Sequence, residues 1–527
     1  MTGGTPSART RPLDELLTDA LGGTAAGISI PGTDAAGPSD VRVTGIAQDA
    51  ARVRPGHVFI ARVGQRRDGH DFVPDAIARG AVCVVGTRDG MPGLTVPYVP
   101  VADDRHATSA LAAAFHGHPS RELIVCGVTG TDGKTTTANL LHHLLQGDEA
   151  RPRASLLSTA MERIGAEGQP PEQHFTTPEA TEVHAHLAAA RDAGARWAVL
   201  EASSHAASLQ RLAHVDFDLM AWTNLTPEHL DHHGSFEAYR DAKASLVRQA
   251  AGAVLNRDDP HYAAFEAAAV GRVTSYAIDA AADLRAEDVV ASPEGLSFDL
   301  VTRDGRRRAR LPLIGRFNVA NALAALAAAH RLGVPWDTAL ERLAGFPGVP
   351  GRMQLVAADP VSVVVDFAHT PAGLAQALAT LRPQAGRLIV VLGAPGERDP
   401  RNRGGLGATA TRGADLAIFT EDDARSESLD AILAALVDGA VAAGGVEGRT
   451  FRVQPDRRAA IATALGLARP GDVVLLAGKG HERTLERADG TVPWDEAAEA
   501  RAALAALAAF AERAARAPQD AAGGRDA

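Results

Sequence analysis

Short apolar runs alternate with amphipathic stretches along most of the chain. "LIVCGV" leads into a glycine-rich loop and then a helical pattern from about Lys134 to Leu145, and "RWAVLEASS" and "FDLMAWTNL" follow. After "LAGFPGVPGR", dense enough in Gly and Pro to be a linker, come "VSVVVDFAHT", "RLIVVLGAPGERD", "ADLAIFTEDDAR" and "DVVLLAGKGHE". Each is apolar enough to be buried on both faces and each ends in a polar loop, as strands of a parallel sheet do. Ligands of open α/β sheets bind at the carboxyl ends of the strands, which gathers these loops around one site. Nearer the start, "ARVRPGHVFIARVG" and "DGHDFVPDAIARGAVCVVGTR" read as β-rich runs around one helical stretch, closing near "HGHPSREL". The pattern predicts an α/β protein divided at residues 1–118, 119–345 and 346–510, with a disordered tail over 511–527.

Composition narrows the setting. A chain of 527 residues exceeds what one core serves, so several domains are expected. The net charge of -11 excludes a general nucleic-acid binder, since counterion release rewards concentrated Lys and Arg. Cys83 and Cys126 are the only cysteines, too few for a disulfide framework or a cysteine metal site, which fits a reducing compartment. No apolar run reaches the roughly 18 residues of a membrane span, and the start lacks a signal-peptide core. A cytoplasmic protein without a membrane partner is expected.

Chemistry concentrates in "GVTGTDGKTTT". The common phosphate-loop pattern needs a glycine where this chain has Val128; here the glycines fall at Gly127, Gly130 and Gly133. Backbone N–H groups from Gly130, Thr131, Asp132, Gly133 and Thr136 can cradle phosphate, Lys134 can reach it, and Thr135 can ligate Mg²⁺. A plain glycine turn before a helix is the bland alternative. Glu201 ends the strand "WAVLE", where a carboxylate could help hold Mg²⁺, though a lone Glu there is commonly a solvated loop residue. "TNLTPEHLDHHGSFEAYRDAKASLV" carries His229, His232, His233 and Lys243. Spacing alone favours helix-surface histidines and a snorkelling lysine.

The collinear set "TGTDGKTTT", "TTPE", "EASSH", "NLTPEHLDHHG", "AYRDAK", "GRFNVANALAA", "GVPGR", "DFAHTP" and "GKGHE" resembles the Mur ligases, and among them the MurE type, which adds the third peptide residue to a UDP-linked peptidoglycan precursor. The resemblance runs from about Val43 to about Trp494 and implies three α/β domains: an N-terminal uridine domain, a central phosphate-loop ATPase domain and a C-terminal Rossmann-like domain. It implies ATP and Mg²⁺ as cofactors and a UDP-muramoyl peptide and a free amino acid as partners; a monomer is expected. Catalysis falls to Lys134, Glu201, His229 and a CO₂-carbamylated Lys243, with Thr135, Glu201, His229 and Lys243 near metal. Asn318, Asn321, Arg352, Asp366 and His369 would surround the nucleotide. Thr176, Thr177, Ser203 and Arg211 would contact the UDP-muramoyl-dipeptide; Thr177 before Pro178 and Glu179 is also a helix N-cap signature. Arg398, Asp422, Asp423, Arg425, Gly478 and Glu482 would hold the incoming amino acid, with Arg403 also matching.

Departures from the family pattern touch both substrate ends. The usual D-S-R of the uridine domain is replaced by Asp49, Ala50 and Ala51. The D-N-P-R loop, whose arginine pairs with the distal carboxylate of meso-diaminopimelate, is Asp422, Asp423, Ala424 and Arg425. The extra charge at Asp423 favours a cationic side chain or a free distal amine over a further carboxylate. With Arg425 and "GKGHE" kept, the resemblance implies meso-diaminopimelate as the amino acid added; the alternatives are a ligase with another acceptor or amino acid, such as L-Lys or another diamine, and a catalytically silent nucleotide-binding relative.

Overall fold

The computed structural model describes residues 9–22, 40–64, 67–147, 150–170, 175–292, 295–398 and 400–516. It divides into two compact units, Met1–Glu287 with Leu300–Arg307 and Ala320–Leu343, and Asp288–Asp299 with Arg308–Val319 and Ala344–Ala527.

In the first unit, Gly45–Ala47, His57–Ala61, Cys83–Gly86 and Tyr98–Pro100 form a parallel sheet in that order. Strand periodicity explains why "VFIA" is apolar throughout. Val58 and Ile60 join one buried cluster with Leu13, Val85 and Leu111, while Phe59 and Ala61 point into another with Val73 and Val84. A second sheet places Ala154–Leu157, Trp197–Glu201, Ile124–Thr129, Leu219–Trp222, Gly252–Asn256 and Arg272–Ala277 side by side, all parallel. Trp222 stacks on Phe265 at 3.9 Å beneath it. Ile124–Thr129 is central and leads through the glycine loop into the helix Lys134–Gln146. Its neighbours end at Glu201 and Trp222, so the loop, the carboxylate and "TNLTPEH" share one edge of the sheet.

The second unit holds a sheet ordered Gln354–Ala357, Ser362–Asp366, Val473–Ala477, Leu388–Leu392, Leu416–Phe419 and Phe451–Val453. Only the first strand pairs antiparallel. Ser362–Asp366 and Leu388–Leu392 flank Val473–Ala477, so strand order reverses there and the loops "DFAHT", "GAPGER", "EDDAR" and "GKGHE" leave from the same ends. The closing helix, Glu496–Arg516, continues beyond residue 510 into the stretch expected as tail, because its Ala- and Leu-rich sequence keeps helical propensity. The rest of that tail, 517–527, lies outside the described residues. Among the described residues no helix is long and apolar enough to cross a membrane.

Candidate functional site

The glycine loop is shaped by what sits against it. Gly130 has φ 143°, and a Cβ there would collide with Thr223 Oγ1; Gly133 has φ 82°, and a Cβ there would meet the Asn321 amide. The loop backbone is pinned by Asn224, whose carbonyl accepts from Thr131 N at 2.9 Å and whose Oδ1 accepts from Asp132 N at 2.9 Å. Lys134 Nζ donates to the carbonyls of Gly130 (3.0 Å) and Thr131 (2.7 Å). Thr135 Oγ1 donates to Glu201 Oε2 at 3.1 Å, and Thr136 is buried beside it. Glu201 is only 1% exposed, so the solvated-loop reading does not hold. Its carboxylate also accepts from Thr159 N (2.9 Å) and Thr159 Oγ1 (3.1 Å). An inward carboxylate beside a hydroxyl at the mouth of a phosphate loop is a hard-oxygen donor set that fits Mg²⁺.

Lys243 is no snorkelling surface residue: it is 2% exposed, with Nζ 2.5 Å from the Gly130 carbonyl and 4.7 Å from the centroid of the Tyr239 ring. Burial, then the charge of Lys134, pushes its ammonium well below the usual range. The Tyr239 hydroxyl lies 2.9 Å from Thr131 Oγ1, so one helix, Phe236–Gln249, carries both residues to the loop. His229 has φ 55° and precedes the short helix Leu230–His233. Its ring is 4.6 Å from that of His205, which also packs against His232 at 4.2 Å. The histidines therefore cluster rather than spread over a helix surface.

Near the same sheet edge, Thr177 Oγ1 donates to the Glu201 carbonyl at 2.7 Å and lies 3.2 Å from Ser203 Oγ; Thr176 is half-buried beside it. Thr177 is not the helix cap. Glu179 occupies that position for Ala180–Asp192 in a reciprocal arrangement with Glu182, because Pro178 and the bond to Glu201 commit Thr177 elsewhere. Ser203 does cap, accepting from Ala206 N at 3.1 Å. Arg211 is 8% exposed and donates to the Thr177 carbonyl (2.8 Å) and to Glu179 (2.6 Å), while its buried Nε has no acceptor. A cavity of about 620 Å³ opens between Gln48, Asp49, Ala50, Ala51, Arg62 and Phe72. Ala50 and Ala51 thus line a pocket at the point where the family pattern carries Ser and Arg.

In the second unit, Asp366 accepts from Met353 N (2.7 Å) and Ala368 N (2.9 Å), and burial raises its pKa despite Arg352. Arg352 lies over Phe367 at 4.6 Å with a buried, unpartnered Nε, and the His369 ring is 4.6 Å from that of Phe367. Asn318 donates to the Ile314 carbonyl at 2.7 Å. Arg398 is exposed, and Arg403 is paired with Glu427 at 2.8 Å. Asp422, Asp423 and Glu482 converge on Lys479 Nζ at 3.6, 2.7 and 2.7 Å. Gly478 makes room for this: a Cβ there would lie 2.9 Å from Asp422 Oδ2. The cation that Asp423 was expected to draw from a substrate is therefore supplied by the chain itself. Arg425 likewise has protein partners, Glu486 at 2.7 Å and the Gly396 carbonyl at 2.7 Å.

Three family descriptions match in chain order: "Mur ligase family, catalytic domain" over residues 42–116, "Mur ligase middle domain" over 128–329 and "Mur ligase, glutamate ligase domain" over 351–480. A UDP-N-acetylmuramyl-tripeptide synthetase of Deinococcus radiodurans is 50% identical over 91% of this chain and 98% of its own length. The chain belongs to the Mur ligase family. Its members are ATP-dependent ligases that form amide bonds, and the three-domain α/β architecture is theirs. A UDP-N-acetylmuramoyl-L-alanyl-D-glutamate--2,6-diaminopimelate ligase of Gloeobacter violaceus is 40% identical over 89% of this chain and 95% of its own. A solved structure bearing the same ligase name superposes with a TM-score of 0.63 at 30% identity, covering 91% of this chain and 98% of that one.

Several residues of this Mur ligase site escape a reading of the sequence. Thr159 has no distinguishing pattern, and Asn224 and Tyr239 stand inside quoted motifs without a role of their own there; each acts through a hydrogen bond to a residue distant in sequence, Thr159 to Glu201, Asn224 to Asp132 and Tyr239 to Thr131. Lys479 stands inside "GKGHE", yet its partners Asp422 and Asp423 are more than fifty residues away in sequence. Arg457 is wholly buried against Glu496 at 2.7 Å and donates to the carbonyls of Glu421 and Ala477, tying two site loops to the closing helix. Carboxylates sharing one ammonium are not equally stabilised. Burial raises Glu482 to about 7, Lys479 opposing and the charges of Asp422 and Asp423 adding to the rise. A carboxyl whose folded pKa lies above its unfolded value binds extra protons when folded, so stability falls as pH rises from about 4.5 to about 7. Glu482→Gln should remove this slope: in urea titrations the wild type loses ~2–3 kcal/mol relative to the variant across that window, and parallel curves would refute the assignment.

Proposed function

We propose that this Mur ligase adds an amino acid to UDP-N-acetylmuramoyl-L-alanyl-D-glutamate, using ATP, in peptidoglycan biosynthesis in the cytoplasm. The observation that carries the reading is the buried Lys243 amine packed on a glycine loop that also holds Lys134 and faces Glu201. The relatives named tripeptide synthetase and diaminopimelate ligase support the acceptor. ATP phosphorylates the acceptor's terminal carboxylate, the amine of the amino acid attacks the acyl phosphate, and the tetrahedral intermediate expels phosphate. Lys134 and the loop N–H groups neutralise and orient the phosphates. Glu201, Thr135 and His229 would hold Mg²⁺, which supplies charge neutralisation at the phosphates. An amine kept neutral by burial is the form that captures CO₂, and the carbamate turns Lys243 into a carboxylate-like contact. Thr176, Thr177, Ser203 and the orphaned Nε of Arg211 serve the dipeptide end, and the cavity beside Ala50 and Ala51 serves the UDP end. Asn318, Asn321, Arg352, Asp366 and His369 keep a nucleotide role, and Arg398 and Gly478 an amino-acid role, on the resemblance alone.

The amino acid is meso-diaminopimelate on the strength of Arg425 and of relatives named for that substrate. A second reading, a diamine without the distal carboxylate such as L-Lys, is favoured by the ion pair between Arg425 and Glu486, which leaves the guanidinium less charge to offer a carboxylate. Incubation with ATP, Mg²⁺, the UDP-dipeptide and an amino-acid panel, read by product mass, separates them. Product with diaminopimelate is expected; product with L-Lys alone selects the second reading, and no product with any amino acid refutes the acceptor.

Lys243→Ala should lose ~100-fold or more in kcat and regain part of it with added short-chain carboxylic acids. A fully active variant would remove the carbamate role.

A further inference from the structure

Arg62 and Arg211 belong to different family-matched segments, 42–116 and 128–329, of the first unit. A single carboxylate joins them. Glu179 Oε1 accepts from Arg211 Nη2 at 2.6 Å, and Oε2 accepts from Arg62 Nη1 at 2.8 Å. The same Arg62 nitrogen donates to Gln48 Oε1 at 2.8 Å, and both Arg62 and Gln48 line the cavity beside Ala50 and Ala51. At the other end, Arg211 is nine-tenths buried, lies over Phe175 at 4.9 Å, and keeps one buried N–H without an acceptor. Burial would raise the Glu179 pKa, but the two arginines outweigh it and the carboxylate stays ionised.

We infer that Glu179 is a positioning residue for the acceptor, holding Arg62 in the wall of the UDP-end cavity and Arg211 at the dipeptide end as one preordered anion-binding track. The inference rests on the acceptor reading given above. The UDP-dipeptide carries a diphosphate and glutamyl carboxylates, so it presents anions at separated points, and two long arginines would each have to be ordered when it binds. Ordering one such side chain costs ~0.5–1.5 kcal/mol, and Glu179 meets that cost within the free protein. The loss of Ser and Arg at Ala50 and Ala51 leaves Arg62 as a cation in that wall whose position is set by another segment of the chain.

Positioning and simple electrostatics predict opposite signs. If Glu179 only offset positive charge, neutralising it would tighten anion binding and lower the KM for the acceptor. If it positions, Glu179→Gln raises that KM roughly tenfold while the KM for ATP and kcat stay within about twofold. Glu179→Asp, which keeps the charge and caps a helix well, should fold like wild type and recover much of the acceptor KM. Steady-state kinetics and thermal melts of wild type and both variants decide it. An unchanged or lowered acceptor KM in Glu179→Gln, or a loss of melting temperature and kcat without a KM change, overturns the inference while the acceptor reading stands. If Glu179→Gln does not fold, Glu179→Asp with wild-type stability and no recovery over an alanine variant overturns it too. Absence of wild-type turnover with the UDP-dipeptide would remove the acceptor reading, and this inference with it.

Discussion

A lysine amine enclosed against the carbonyl of Gly130 is the constraint from which the central site follows. A charged ammonium there would forfeit its hydration and face Lys134 as well, so the neutral amine is favoured. Tyr239 offers one face to the amine and its hydroxyl to Thr131, which fixes the helix Phe236–Gln249 to the loop. The loop in turn must be glycine where Thr223 and Asn321 press on it. The glycines at Gly127, Gly130 and Gly133 each answer to a close neighbour, Met220, Thr223 and Asn321 in turn.

The second unit solves a different electrostatic problem. Asp422, Asp423 and Glu482 crowd one ammonium, that of Lys479, and Arg457 with Glu496 braces the backbone that carries them. Breaking a buried pair strands a charge, so this group is a rigid frame before it is a binding surface. Arg425, bonded to Glu486 and Gly396, belongs to the same frame. On the function proposed above, amino-acid selection here would be a competition between substrate groups and partners that the protein already provides.

Much of this was legible in the sequence, and for identifiable reasons. The parallel sheets show because buried strands are apolar on both faces, and the glycine loop shows because phosphate binding and close packing leave few residue choices. Glu201 is visible as the end of a strand. What the sequence hides is pairing at long range: Lys479 with Asp423, Arg457 with Glu496, Glu179 with Arg62. Thr177 misled because its surroundings, "TPE", match a helix cap, whereas its hydroxyl is claimed by the Glu201 carbonyl of a neighbouring strand. Asp423 misled because its charge counts only after Lys479 has been placed beside it.

The ligase chemistry itself is tested most directly by following oxygen. The acceptor's glutamyl carboxylates are labelled with ¹⁸O, the enzyme is run with ATP and the amino acid it accepts, and the released phosphate is examined by ³¹P NMR. An acyl phosphate formed on the carboxylate transfers one labelled oxygen to each phosphate at turnover. Unlabelled phosphate alongside amide product would contradict the account.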